Sequence, residues 1–118
     1  MTDHIASFFS AWSMDDATAR AATVATAMTP DATYADPRTP SVLDGRAAVS
    51  DYIGMIAEAA PGATVVVFKS GETKCSILET IAFRMAGGME QMGQYFVELA
   101  DDRRINRMVG FVGTGAPE

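Results

Sequence analysis

The sequence has little with which to crosslink itself or bind metal. Cys75 is its only cysteine. No intrachain disulfide can form, a disulfide-stapled secreted scaffold is excluded, and a reducing cytoplasm is the expected setting. His4 is the only histidine; near the N-terminus it reads as a surface residue, and one histidine with one cysteine does not make a transition-metal site. Positive charge is scarce as well. Nine Lys and Arg face fifteen Asp and Glu for a formal charge of −6, with no basic run, which argues against nucleic acid and anionic membrane as partners. No uncharged apolar run approaches the roughly 18 residues that a membrane span needs. The opening MTDHIASFF lacks the basic segment and cleavage site of a signal peptide. Internal repeats, low-complexity linkers, phosphate loops, nucleophile elbows and nucleotide fingerprints are all missing. No cofactor is expected.

What remains is a chain of 118 residues with a 48% apolar share, expected to form one domain over residues 1–118 around a single core. Ile5, Phe8, Phe9 and Trp12 fall at i, i+3, i+4 and i+7, the stripe of a short helix that Thr2 or Asp3 can cap. SMDD interrupts, Asp15 or Asp16 caps a second helix, and Ala17, Ala21, Val24 and Met28 form its face until Pro30 stops it. A short strand follows in DATYADP. A third helix starts after LDG with Asp44 as its expected cap, carries Val49, Tyr52, Ile53, Ile56 and Ala60 on one side, and ends at Pro61-Gly62. The remainder reads as strands: Thr64 to Lys69, a turn at SGETK, Cys75 to Met85, a hairpin at AGG, Glu90 to Leu99, a turn at ADDR, and Arg104 to Val112. Helices segregated from an antiparallel sheet predict an α+β fold, with three N-terminal helices packed on a curved, mainly antiparallel sheet around a conical hollow.

Several polar residues interrupt apolar patterns. Asp36, before Pro37, either enters the hollow as a base able to take a proton next to a carbonyl, or bonds backbone N–H groups of its own turn or pairs with Arg38. Tyr95 shares strand parity with Gly93, Val97 and Leu99; its hydroxyl either donates to a ligand oxygen or bonds locally in the core. Glu79 breaks the set Ile77, Ile81, Phe83, Met85. A three-residue AGG loop places it across from Tyr95, and Ile81 across from Gly93, whereas a two-residue turn separates them. An inward Glu79 would need Tyr95, an arginine or a proton; alternatively the strand is edge-exposed or twisted there and Glu79 meets solvent. Phe8, Phe9, Trp12 and Tyr52, with Phe83 and Met108, are candidates for the wall of a small-ligand pocket; the same aromatic stripe serves equally as plain core. On the last strand Ile105, Val109 and Phe111 share one face, and Met108, Gly110 and Val112 share the other. An antiparallel strand with one wet face should alternate with polar groups, so the outer face is expected to be covered.

The order DATYADP, then Gly45-Arg46 opening a helix, PG after that helix, GQYFVELADDRRI and the closing RMVGF resembles the SnoaL-like and ketosteroid-isomerase-like proteins, with the cystatin-like cone of nuclear transport factor 2, over roughly His4 to Val112. The resemblance implies Asp36 as the general base. Its two companion donors differ here: the first-helix tyrosine falls at Phe8 or Phe9, and the acid of the penultimate strand is Tyr95. It also implies a homodimer paired through the outer sheet face. The expected function is a cofactor-free protein binding an apolar, oxygen-bearing molecule of polyketide, steroid or terpenoid character. As an isomerase or cyclase, Asp36 would abstract a proton while Tyr95, with Glu79, stabilises the oxyanion. The alternative is a non-catalytic ligand-binding or dimerisation domain. A cavity of roughly several hundred Å³ with Asp36 and Tyr95 facing each other favours the enzyme, whereas a collapsed cone filled by Trp12, Phe83 and Met108 favours the alternative.

Overall fold

In the computed structural model, which describes residues 3–113, carboxylates begin the first two helices. Asp3 accepts the Ala6 N–H at 3.0 Å and opens α1, His4–Ser10. The alternative cap, Thr2, lies outside the described residues. A single 3₁₀ turn, Ala11–Ser13, carries Trp12. Asp16 accepts the Ala19 N–H at 2.9 Å and opens α2, Ala17–Ala27. The buried stripe of α2 is Arg20, Val24 and Ala27, while Ala17 and Ala21 face water. The expected small-residue face is thus rotated. An arginine can bury its stem where its head finds an acceptor, and the Arg20 guanidinium donates from Nη2 to the Met14 carbonyl at 2.8 Å while its buried Nε has no partner among the described residues.

Pro30 does not end α2 by itself. The helix stops at Ala27, and β1 runs Met28–Ala35 with Pro30 inside it. The register of β1 against its neighbour shifts between Met28 and Thr33, and such an irregularity is where a strand tolerates a residue without an N–H. Arg46 reaches back to the Ala25 carbonyl at 2.9 Å, closing the open end of α2. Asp44 belongs to the two-residue strand β2, Leu43–Asp44, rather than capping a helix. Gly45 precedes α3, Arg46–Ala59, with φ +90°, a conformation that side chains resist, and its N–H bonds the Ala32 carbonyl at 2.9 Å.

β3 extends over Thr64–Thr73, so SGETK is mostly strand. The reversal occurs at Lys74 and Cys75, with φ of +49° and +65°, because Thr73 pairs with Ser76 and leaves two residues for the loop. β4 is Ser76–Arg84 and β5 is Glu90–Leu99. Met85 donates its N–H to the Met89 carbonyl at 2.8 Å, which closes AGG as a three-residue loop. β6 is Ile105–Val112. The sheet order is β2-β1-β6-β5-β4-β3, antiparallel except between β1 and β6. The fold is α+β, three helices packed on a curved, open, six-stranded and mostly antiparallel sheet. Alternation puts Ile77, Ile81, Phe83, Tyr95, Val97, Met108 and Gly110 on the face the helices cover, and all are buried. Among the described residues no helix is long and apolar enough to cross a membrane.

Candidate functional site

Period-two alternation along β1 sends Ala32, Tyr34 and Asp36 to one face. Tyr34 is fully buried and Asp36, one residue past the strand, is half-buried at the rim of the hollow. The Asp36 carboxylate combines the two arrangements expected of it. Its Oδ1 accepts the turn N–H groups of Arg38 at 2.8 Å and Thr39 at 3.2 Å. It also faces inward: Tyr34 donates to Oδ2 at 2.7 Å, and Tyr52 on α3 shares its proton between Oδ1 at 2.9 Å and Oδ2 at 2.8 Å. It does not pair with the Arg38 guanidinium, which is turned to the Gln91 side-chain oxygen at 2.8 Å.

Tyr95 joins this group through Tyr34, the two hydroxyls lying 2.7 Å apart. Each phenol carries one proton. Tyr34 commits its own to Asp36, so Tyr95 is the donor between them, and the chain runs Tyr95 to Tyr34 to Asp36. Burial is the first cause holding all three phenols above the ordinary tyrosine range. For Tyr34 the neighbouring Tyr95 and Asp36 add to it, for Tyr52 the bond to Asp36 adds to it, and for Tyr95 the Tyr34 hydroxyl pulls the other way. At neutral pH they are therefore neutral donors around one carboxylate.

The cavity beside this cluster measures about 90 Å³ and is open on one side. Trp12, Ile81, Phe83 and Val65 form its apolar wall, Tyr95, Gly110 and Asp36 its polar end, and Pro37, Arg38 and Gln91 belong to its lining from the outer loops. Trp12, Tyr52 and Phe83 thus line the cavity. Phe8, Phe9 and Met108 do not: they are core, packed within an aromatic cluster in which Phe8 lies 6.0 Å from Tyr34 and Phe9 5.3 Å from Tyr95, ring centre to ring centre. The hollow is smaller than an ordinary ligand site of roughly 300 Å³ or more, because Trp12, Phe83 and Tyr34 occupy much of the cone.

Glu79 lies across from Tyr95 in the β4/β5 ladder, and Ile81 lies across from Gly93. Glu79 is nevertheless separate from the Asp36 cavity. It lines a second, more polar cavity of about 260 Å³ with Asp3, His4, Ser70, Glu72 and Arg103. Its Oε1 is buried without a hydrogen-bond partner. Burial raises its carboxyl above the ordinary range, the Ser70 hydroxyl opposes that, and the charge of Asp3 adds to it. His4 is half-buried there rather than on the surface. Among the described residues no group of three or more His, Cys, Asp and Glu is placed to hold a metal ion.

No protein-family model and no curated protein matches this chain. Solved structures do. A protein from Agrobacterium tumefaciens, provisionally described as an isomerase of the SnoaL-like family, superposes with a TM-score of 0.83 at 20% identity, covering 93% of this chain and 94% of its own. A provisionally described SnoaL-like polyketide cyclase from Jannaschia sp. gives 0.78 at 16% identity, over 98% and 91%. A Catenulispora acidiphila protein with the ketosteroid isomerase-like fold, solved with trimethylamine, gives 0.77 at 13% identity, over 99% and 95%. At these identities the likeness shows the fold: the chain has the SnoaL-like, ketosteroid-isomerase-like cone.

Proposed function

We propose that the cavity receives a compact, apolar, oxygen-bearing molecule of polyketide, steroid or terpenoid character, and that Asp36 removes a proton adjacent to its carbonyl. The products would be those of an isomerase or cyclase. One observation carries this reading: Asp36, the one carboxylate among the described residues that lines the apolar cavity, is gripped by the hydroxyls of Tyr34 and Tyr52 and linked through Tyr34 to Tyr95. The size of the hollow restricts what enters to a single ring or a short branched segment, with any larger remainder projecting through the open side.

The chemistry follows from proton accounting. Asp36 in the resting arrangement has donors on both oxygens, so a substrate C–H must displace one. Tyr52 is the donor that can leave, being half-buried and sharing one proton between two acceptors. Once Asp36 has taken the substrate proton, Tyr34 is released from it and can donate to Tyr95. Tyr95 then turns its own proton to the oxygen on which charge develops. Glu79 has no part in this step.

Deuterium exchange at the α-carbon of small cyclic enones and ketones, followed by NMR, tests the reading. The native protein should accelerate exchange, and Asp36→Asn should remove about 10²-fold or more of that acceleration. Acceleration that survives Asp36→Asn would exclude this base. Binding without turnover is the second reading, favoured by the filled acceptor positions of Asp36 and the small hollow.

A homodimer through the outer sheet face is part of the same proposal. Leu78, Phe96 and Val109 align across β4, β5 and β6, and Leu78 and Phe111 are 49% and 57% exposed. Arg107–Glu98 and Arg84–Glu90 ion pairs lie on the same strands. Sedimentation at micromolar concentration should give a dimer, and Leu78→Glu combined with Phe111→Glu a folded monomer; a monomeric native protein would contradict it.

A further inference from the structure

The two lysines, Lys69 and Lys74, face water on the outer strand and its turn, but six of the seven arginines of this acidic chain are engaged. Arg84, Arg103, Arg104 and Arg107 each hold a carboxylate, and Arg20 and Arg46 are turned onto main-chain carbonyls. Arg38 differs. Among the described residues it makes no salt bridge, its guanidinium holds only the neutral amide of Gln91, and both residues line the cavity. Its main chain is fixed independently, because its N–H donates to Asp36 Oδ1 at 2.8 Å. Its side chain is exposed while that anchor stays put.

We infer that Arg38 is a specificity-determining residue: the ligand of this cavity carries a carboxylate or another planar oxyanion on its apolar body, and that group takes the guanidinium from Gln91. The inference rests on the cavity reading above and names the substrate class within it. A guanidinium fork matches a carboxylate with two parallel hydrogen bonds, whereas an amide oxygen satisfies one donor. Gln91 need not be stranded by the exchange, since its amide can turn and offer its NH₂ to the same anion. The geometry sorts the ligand end to end. The apolar body meets Trp12, Ile81 and Phe83, the anion stays with Arg38, and like-charge repulsion keeps it away from Asp36. The influence of Arg38 extends inward, since its charge bears on the hydroxyls of Tyr52 and Tyr95.

Matched probes test this: 3-phenylpropanoate against 3-phenylpropanol, titrated into the native protein and Arg38→Met while following the Trp12 indole by NMR. Arg38→Met keeps the main-chain N–H that Asp36 uses. In the native protein the anion should bind about five-fold more tightly than the alcohol, as for a solvent-accessible charge pair. That preference should vanish in Arg38→Met and in high salt, while the affinity for the alcohol stays the same. Equal binding of the two probes by the native protein, or a preference that persists in Arg38→Met, overturns the role given to Arg38 and leaves the cavity standing. If neither probe shifts Trp12, the cavity reading falls together with this inference.

Discussion

The hydroxyls of Tyr34 and Tyr95, sixty-one positions apart in sequence, lie 2.7 Å apart with both rings buried. The contact joins the first strand to the fifth and gives Asp36 a second layer of donors. Tyr34→Phe keeps the ring and its packing. It removes the bond to Asp36 and leaves the Tyr95 hydroxyl without its acceptor. A buried group stripped of its partner costs about 1–3 kcal/mol, and urea unfolding should show a loss in that range. Tyr52→Phe should cost less, because Tyr52 is half-buried and Asp36 keeps three other donors. Equal losses for the two variants would mean that the buried chain contributes nothing beyond an ordinary rim contact.

Gly110 on β6 is the reason Tyr95 and Asp36 can approach as they do. A Cβ at that position would stand 2.7 Å from Tyr95 Cε1 and 3.1 Å from Asp36 Cβ. Both neighbours are held, one by Tyr34 and the other by its turn, so neither yields easily. Gly110→Ala should destabilise the fold by about 1–3 kcal/mol through overpacking, and it should displace the Tyr95 ring. The check pairs thermal unfolding with the Tyr95 ring resonances. A variant as stable as the native protein with unmoved resonances would show that the strand shifts freely here.

The turn at Lys74-Cys75 conflicts with its own backbone. Both residues have positive φ, where an L side chain costs about 1–2 kcal/mol per residue, and a two-residue hairpin of this kind prefers Asn-Gly. Cys75 is exposed, and the contact its thiol makes is with the solvent-facing Arg103 side chain, which Glu72 already holds. Cys75→Gly should therefore raise stability by about 1 kcal/mol, and Lys74→Asn with it by somewhat more. A decrease in the urea midpoint would mean that the Cys75 side chain holds the turn.

The helices, the four C-terminal strands and the AGG loop were legible because periodicity and turn chemistry report the local backbone directly, whereas the short β2 and the parallel pairing of β1 with β6 were not. Asp36 was legible from its place before Pro37 and from the family resemblance, and Tyr95 from its parity with Gly93, Val97 and Leu99. Tyr34 was missed although Ala32, Tyr34 and Asp36 share strand parity; an aromatic on such a face reads as core until a hydroxyl partner is known. The boundary errors have one cause. A strand can run through Pro30 at a register shift, and β3 can run through SGET, because the neighbouring strand rather than local propensity sets their length. Glu79 shows a different limit. The pairing with Tyr95 could be reasoned from the loop length, but not that the carboxyl would line the other cavity, which depends on how the first helix lies over the sheet.

Glu79 makes the protein more stable in mild acid than its other carboxylates would suggest. Its carboxyl is raised by burial and by the charge of Asp3, with Ser70 opposing; His4, Glu72 and Arg103 share the cavity. When a folded-state pKa lies above the unfolded one, the folded chain binds the proton more readily. This contribution is then fully favourable below the unfolded value of about 4.3 and is lost as pH rises through the folded value. Glu79→Gln keeps the shape and removes the titration. Relative to the native protein, the variant should gain stability as pH rises from 4 to 7, and the gap should close again in acid. Urea unfolding of both proteins across that range reads the difference directly. A difference that is flat with pH, or that shrinks toward neutrality, would mean that Glu79 is as well satisfied charged as neutral and that its orphaned Oε1 finds a partner in solution.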